Sequence, residues 1–166
     1  MTLSADAVVH ELYHDPEVRA AVVARWGDEV APGGAVDRHA VARRAFATDE
    51  ERAWLEGLLW PKVSERIAEW RAVESQRDPP ALVVEVPLLF EAGMESAFDA
   101  TVAVVADDAI RAARAAARGH EAVDERTARQ FAQSKKAERA TYVVDNSGSI
   151  RELEEELSSM LGKLRS

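Results

Sequence analysis

Apolar positions recur at helical spacing through the first half of the chain and bunch into short unbroken blocks in the second. Val8, Val9, Leu12, Val18, Val22, Val23 and Trp26 mark one helical stripe over residues 5–26. Asp15-Pro16 interrupts it. Proline lacks an amide donor and disfavours helix in the residue before it, so two helices with a break are predicted. The turn "APGGAVD" follows, with Asp37 placed to cap "RHAVARRAF". A long amphipathic helix is predicted from Thr48, with Glu51 completing a capping box. Its stripe is Trp54, Leu55, Leu58, Leu59, Val63, Ile67 and Trp70, with a bend expected at Pro61 and an end at "RDPP".

Beyond residue 80 the texture changes. "ALVVEVP" (81–87), "DATVAVVA" (99–106) and "ATYVVDN" (140–146) read as strands. Runs apolar on both faces suit a parallel sheet covered by helices on both sides. Helical stretches lie between and after them: "DDAIRAARAAAR", "VDERTARQFAQSKKAERA", and "SIRELEEELSSMLGKL" with Ser149 as its cap. The fold class is α/β, with a helix-only front half forming a lobe.

Composition narrows the function classes. Of the 166 residues, 47% are hydrophobic and 31% charged, which is a globular and not a disordered balance. The net charge of −9 argues against a nucleic-acid partner for the surface as a whole. With no cysteine there is no disulfide or thiolate metal site, which fits a cytoplasmic protein. No apolar run has the length to span a bilayer, so no membrane partner is expected.

Four segments carry candidate chemistry. "HELYH" (10–14) matches the two-histidine zinc signature, with His10 and His14 as ligands and Glu11 as base; the competing reading is two solvent-facing histidines beside a proline. Residues 111–139 are locally basic, with Arg111, Arg114, Arg118, Arg126, Arg129, Lys135, Lys136 and Arg139. Arg118-Gly119-His120 breaks the helix, giving the shape of a lid that could clamp phosphates, or a solvated helical face. "YVVDNSGS" places Asp145 and Asn146 at the carboxyl edge of a strand, where α/β proteins bind ligands and where plain turns also sit. Asp6 opens the first helix, either as an N-cap or as a base at the same sheet edge.

"VVEVPLLFEAG" (83–93) poses a question of its own. A plain strand would end in a polar turn, yet this one runs into Pro87, Leu88, Leu89 and Phe90 and closes with Glu91. That stretch, with "ADAVVHEL", "RWGDEV", "VDRHAVARRAF", "WLEGLLWPKV", "FDATVAVVA", "AARG" and "RQFAQSKKAERATYVVDNSGSI", resembles the dephospho-coenzyme A kinase family over nearly the whole chain.

The resemblance implies a P-loop kinase-like parallel sheet with flanking helices, a helical substrate lobe and an arginine-bearing lid. The chain would be a single domain, with a core at about 1–8, 80–118 and 138–166, the lobe at about 9–79 and the lid at about 118–138. The implied reaction moves the γ-phosphate of ATP, with Mg2+, to the 3′-hydroxyl of dephospho-coenzyme A. Asp6 and Arg118 are the implied catalytic residues. Arg38, Pro87, Leu88, Leu89, Phe90 and Glu91 are implied to contact the acceptor, and Arg118, Arg139 and Asn146 the nucleotide. Ser4 and Trp60 depart from the family pattern, which often has an aspartate and a histidine there.

Family members also carry a glycine-rich loop ending in Gly-Lys-Ser/Thr, whose amides hold phosphates. These 166 residues hold no such run; their Gly-Gly is Gly33-Gly34. The first strand and P-loop are therefore expected to be absent, and the chain inactive alone. Direct pairing of strands 81–87 and 99–106, or filling of the gap by another chain, is the expected consequence. The alternatives are a non-catalytic relative that binds coenzyme A or nucleotides, and a zinc hydrolase built on "HELYH".

Overall fold

The structure is a computed structural model and describes residues 1–117 and 130–164. The chain divides into two compact units, Met1–Val86 and Pro87–Ser166.

The first unit opens with strand β1 (Thr2–Ser4), which runs into helix α1 (Ala5–Leu12). Helix α2 (Pro16–Trp26) follows at the expected break: Asp15 accepts from the amides of Glu17 and Val18, with Pro16 in the first turn. Gly27, at φ +86°, ends α2 in a conformation that side-chain-bearing residues rarely adopt. Asp37 caps α3 (Arg38–Ala45) through the amides of His39 and Ala40. Helix α4 (Asp49–Glu74) runs through Pro61, and Asp78 reverses the chain at φ 48°.

The apolar stripes meet in two clusters. Ala5, Val8, Leu12 and Val18 pack with Leu59 and Val63 of α4. Val22, Val30, Ala40 and Val41 pack with Trp26, Trp54, Leu55 and Leu58 around them.

The capping box expected at Thr48 forms only by half. Thr48 Oγ1 accepts from the Glu51 amide at 3.2 Å. The Glu51 carboxylate turns away to take Arg25 at 2.9 and 3.0 Å and the Trp26 indole N–H at 2.7 Å. Arg25 also lies 5.5 Å over the Trp54 ring, and Trp26 meets Trp54 edge-on at 5.0 Å. A charged fork and an indole donor outcompete the single local amide. They fasten the end of α2 to the start of α4.

The strands differ from expectation in length and pairing. Strand β2 (Val83–Glu85) pairs in parallel with β1, Leu3 opposite Val84. The ladder stops where β1 bends into α1 and where Pro87, without an amide, follows β2. In the second unit β3 (Val102–Val105) pairs in parallel with β4 (Tyr142–Asp145). Instead of one sheet built from segments 81–87, 99–106 and 140–146, the described residues form two separate two-stranded ladders. The expected direct pairing of 81–87 with 99–106 is not among the ladders of the described residues, in which the 83–85 segment pairs with Thr2–Ser4. Nor are both faces buried: Val83, Val104 and Val143 are 49%, 58% and 47% exposed, since a two-stranded ladder leaves such positions uncovered.

The second unit is otherwise tightly fastened. Thr101 and Thr141 exchange amide-to-hydroxyl bonds at 3.1 Å at the start of its ladder. Helices α5 (Asp108–Ala117), α6 (Gln133–Arg139) and α7 (Ile150–Leu164) complete it. Ser149 and Glu152 make a full capping box at α7, hydroxyl on amide at 3.3 Å and carboxylate on amide at 2.7 Å. Leu153, Leu157, Met160 and Leu161 are its half-covered face. Of the predicted helix 123–140, residues 123–129 lie outside the described residues, 130–132 and 140 are not helical, and α6 is the helical part. No helix among them is long and apolar enough to cross a membrane.

Candidate functional site

Residues Pro87–Gly93 form successive turns rather than more strand. Phe90 is buried, and Pro87, Leu88, Leu89 and Glu91 are half-buried. Backbone bonds from Ala92 to Leu88 O and from Met94 to Leu89 O close the segment on itself. Its outward fastening comes from one short helix. Lys136 of α6 donates to Pro87 O at 2.8 Å and lies 3.1 Å from Glu91 Oε1. Arg139, one turn further, donates to Phe90 O at 3.0 Å and pairs with Glu95. Its guanidinium also lies 5.6 Å over Phe90 and 5.8 Å over Phe131. Glu91 Oε1 takes the Phe131 amide as well, at 2.6 Å.

These contacts fix protonation. Burial pushes the Glu91 carboxyl up, but the Phe131 amide, its own amide and Lys136 outweigh it, leaving its pKa below the ordinary value. Glu95 is also lowered, by its own amide and by Arg139. Both carboxylates use one oxygen only: Oε2 of Glu91 and of Glu95 are buried with no hydrogen-bond partner among the described residues.

A second feature of this unit is an open groove of about 530 Å³ at the carboxyl end of β3. Ala106, Asp108, Arg111, Arg114, Gln133 and Asn146 line it. Gln133 closes the strand end with a side-chain pair, accepting from Ala106 N and donating to Ala106 O, both at 2.9 Å. Arg114 donates to Asn146 O at 2.6 Å, and Arg111 pairs with Asp108 at 2.9 Å. The groove is open to solvent, and its lining mixes backbone with charged and amide side chains.

The predicted residues thus fall into groups. Pro87, Phe90, Glu91 and Arg139 are brought together at the turn, and Asn146 stands apart from them at the groove. Arg139, expected on the nucleotide, has its guanidinium on the turn. Asp6 and Arg38 belong to the other unit, both exposed, in the first turns of α1 and α3. Asp6 is not the cap of α1; Ser4 holds that position. Arg118, with the lid segment 118–129, lies outside the described residues. Lys136, grouped with a phosphate clamp on sequence alone, is the residue that grips the turn, and no local signal in the sequence separates the two roles. His10 and His14 are exposed, and the described residues contain no group of three potential metal ligands.

The dephospho-CoA kinase (CoaE) family model matches residues 1–152. The chain belongs to the dephospho-CoA kinase family. The dephospho-CoA kinase of Deinococcus radiodurans is 36% identical over 98% of this chain and 79% of its own length. That of Protochlamydia amoebophila is 33% identical over 98% and 83%. A Thermus thermophilus crystal structure superposes with a TM-score of 0.79 at 32% identity, covering 98% of this chain and 84% of that one. The dephospho-CoA kinase of Campylobacter jejuni, at 18% identity and a TM-score of 0.68, shares the fold. Family membership makes the relevant chemistry phosphotransfer, and the zinc-hydrolase alternative is not favoured.

Proposed function

We propose that this chain supplies the acceptor and nucleotide sites for ATP-dependent phosphorylation of the 3′-hydroxyl of dephospho-coenzyme A. The carrying observation is the turn at Pro87–Glu91, apolar in sequence yet held by Lys136 and Arg139. A hydrophobic turn fixed by partly buried ion pairs would suit as a wall for an organic acceptor. Leu88, Leu89 and Phe90 would lie against the acceptor's apolar parts, and Glu91 would accept a hydrogen bond from it. The groove beside Asn146 and Arg114 would take the nucleotide base and sugar.

Asp6 and Arg38 enter by family resemblance. Asp6 would accept the proton of the attacking hydroxyl, and Arg38 would hold the acceptor. Arg118 would hold phosphate oxygens, while Arg139 would act indirectly by bracing the turn. Magnesium would neutralise charge on the phosphates. The described residues contain no group of three His, Asp or Glu side chains that would hold it.

Phosphate handling in this reaction class depends on amides of a Gly-Lys-Ser/Thr loop, and these 166 residues contain none. The proposal is therefore binding of both substrates' organic parts with no efficient transfer by the chain on its own. Calorimetric titration of the purified chain with dephospho-coenzyme A tests it: saturable one-to-one binding, competed by coenzyme A, is expected. No heat and no competition would refute the reading.

A further inference from the structure

Val105 O, at the end of β3, accepts the Asn146 amide. Strand residues alternate the side to which they direct N–H and C=O, so Ala106 directs its own pair away from β4. The chain then leaves the strand: Asp107 accepts from the amides of Ala109 and Ile110 and starts α5. Ala106 is therefore a strand end that offers one donor and one acceptor, side by side, at the groove it lines.

A single side chain takes both. Gln133 Oε1 accepts from Ala106 N, and Gln133 Nε2 donates to Ala106 O, each at 2.9 Å. A primary carboxamide can do this because its oxygen and nitrogen are neighbours on one planar group. A chain amide cannot, since the trans peptide points its N–H and C=O in opposite directions. The Ala106 pair suits ligands that carry a donor and an acceptor next to each other on one flat edge. Nucleobases have such edges, and adenine sets its amino N–H beside a ring nitrogen.

The pair is also reachable and exchangeable. Ala106 and Gln133 both line the open groove, and each is half-buried. Gln133 is the first residue of α6, which Lys136 and Arg139 hold to the Pro87–Glu91 turn without it. Gln133 Nε2 also donates to Asp108 Oδ1 at 3.1 Å, so the side chain keeps a partner when it leaves Ala106. Neutral hydrogen bonds contribute little net stability, so a ligand with the same edge can take over these two.

We propose that the N–H and C=O of Ala106 are the base-recognition edge of the groove, and that Gln133 occupies this edge as an internal stand-in that a nucleobase displaces. The inference rests on the reading of the groove as the nucleotide site. It makes Gln133 a competitor of the nucleotide and not one of its contacts.

The test is an NMR titration of the full chain, Q133A and Q133N, each checked for folding from its amide spectrum. Asparagine is shorter by a methylene and cannot span to both Ala106 atoms. The ligands are ATP, N6,N6-dimethyl-ATP, which lacks the amino N–H, and inorganic tripolyphosphate, which lacks the base. Both variants should bind ATP about fivefold more tightly than the parent, the scale of one net neutral hydrogen bond. Their affinity for dimethyl-ATP and tripolyphosphate should stay at the parent's value. In the parent, saturating ATP should shift the Gln133 side-chain NH2 signals, and tripolyphosphate should leave them in place. Unchanged or weaker ATP binding in both variants, with shifts still centred on the groove, would overturn the inference and leave the nucleotide site standing. An equal gain for all three ligands would overturn it too, since the substitution would then have opened the groove without freeing a base edge. So would saturation of the parent by ATP with unmoved Gln133 NH2 signals, a result that needs no variant to fold. ATP that moves no groove amide in any of the three proteins would refute the nucleotide site itself, and this inference with it.

Discussion

Lys136 Nζ lies 3.1 Å from Glu91 Oε1 and 2.8 Å from Pro87 O, so one ammonium from a seven-residue helix holds both the first residue of an apolar turn and the carboxylate within it. That relationship explains why a strand should run into Pro87, Leu88, Leu89 and Phe90. The turn is held from outside by charge, with Leu88 and Leu89 half-buried beside the buried Phe90.

The first expected outcome concerns catalysis. The chain on its own should release no ADP above background when given ATP, Mg2+ and dephospho-coenzyme A. A coupled ADP-release assay reads this directly. Turnover near one per second, within the ordinary enzyme range, would show that the phosphates are handled without a Gly-Lys-Ser/Thr loop.

The second concerns Asp6. In a chain that also carries a phosphate-binding loop, Asp6→Asn should lower kcat by about 10²–10⁴, the usual contribution of a general base. ATP affinity should hardly change. Ser4 and not Asp6 is the cap of α1, so the substitution should cost little helix stability. Equal kcat in variant and parent would leave Asp6 as a first-turn acid favoured only by the helix dipole.

The third concerns the core of the first unit. Leu12 is 3% exposed and packs with Val8, Val18, Leu59 and Val63. Leu12→Ala should destabilise by about 2–5 kcal/mol, from lost transfer energy and the cavity left behind. Urea denaturation followed by tryptophan fluorescence reports on this unit, because Trp26, Trp54, Trp60 and Trp70 all lie in it. A loss well under 1 kcal/mol would mean that the cluster collapses to fill the space.

The fourth concerns pH. Glu91 and Glu95 have pKa values lowered in the fold, so below the ordinary carboxylate range the unfolded chain binds more protons than the folded one. Their contribution to stability is fully present above the unfolded value of about 4.3. It is lost as pH falls through the lowered folded values. The parent's midpoint should therefore drop more steeply over that acid window than the midpoint of the E91Q/E95Q variant. Parallel curves would remove these two carboxylates from the acid transition.

What the sequence disclosed is mostly what is local. Asp37 and Ser149 cap their helices as read, and Asp15 caps α2 at the expected break, because each bonds amides two or three residues away. The stripe of α4 found its core for the same reason, its period being written in adjacent turns. The misses are long-range. Glu51 looked like the partner of Thr48 until Arg25 and Trp26, about 25 residues earlier, claimed its carboxylate. The partner of Val83–Glu85 was a three-residue strand at the very start, too short to show a period. Lys136 reaches Pro87 across 49 residues, and nothing in "QSKKAER" distinguishes a lysine bound to a turn from one meant for phosphate. The family resemblance, by contrast, was carried by "VPLLFE" and "YVVDNSG" as contiguous strings, and the family match confirms it.

The most direct measurement of the central claim is amide chemical-shift mapping of the chain with dephospho-coenzyme A and, separately, with ATP. Dephospho-coenzyme A should move the amides of Leu88, Leu89, Phe90 and Glu91 and reach saturation. ATP should move those of Ala106, Gln133 and Asn146 around the groove. Saturable shifts for dephospho-coenzyme A that leave residues 88–91 untouched would contradict the assignment of this turn as the acceptor's wall.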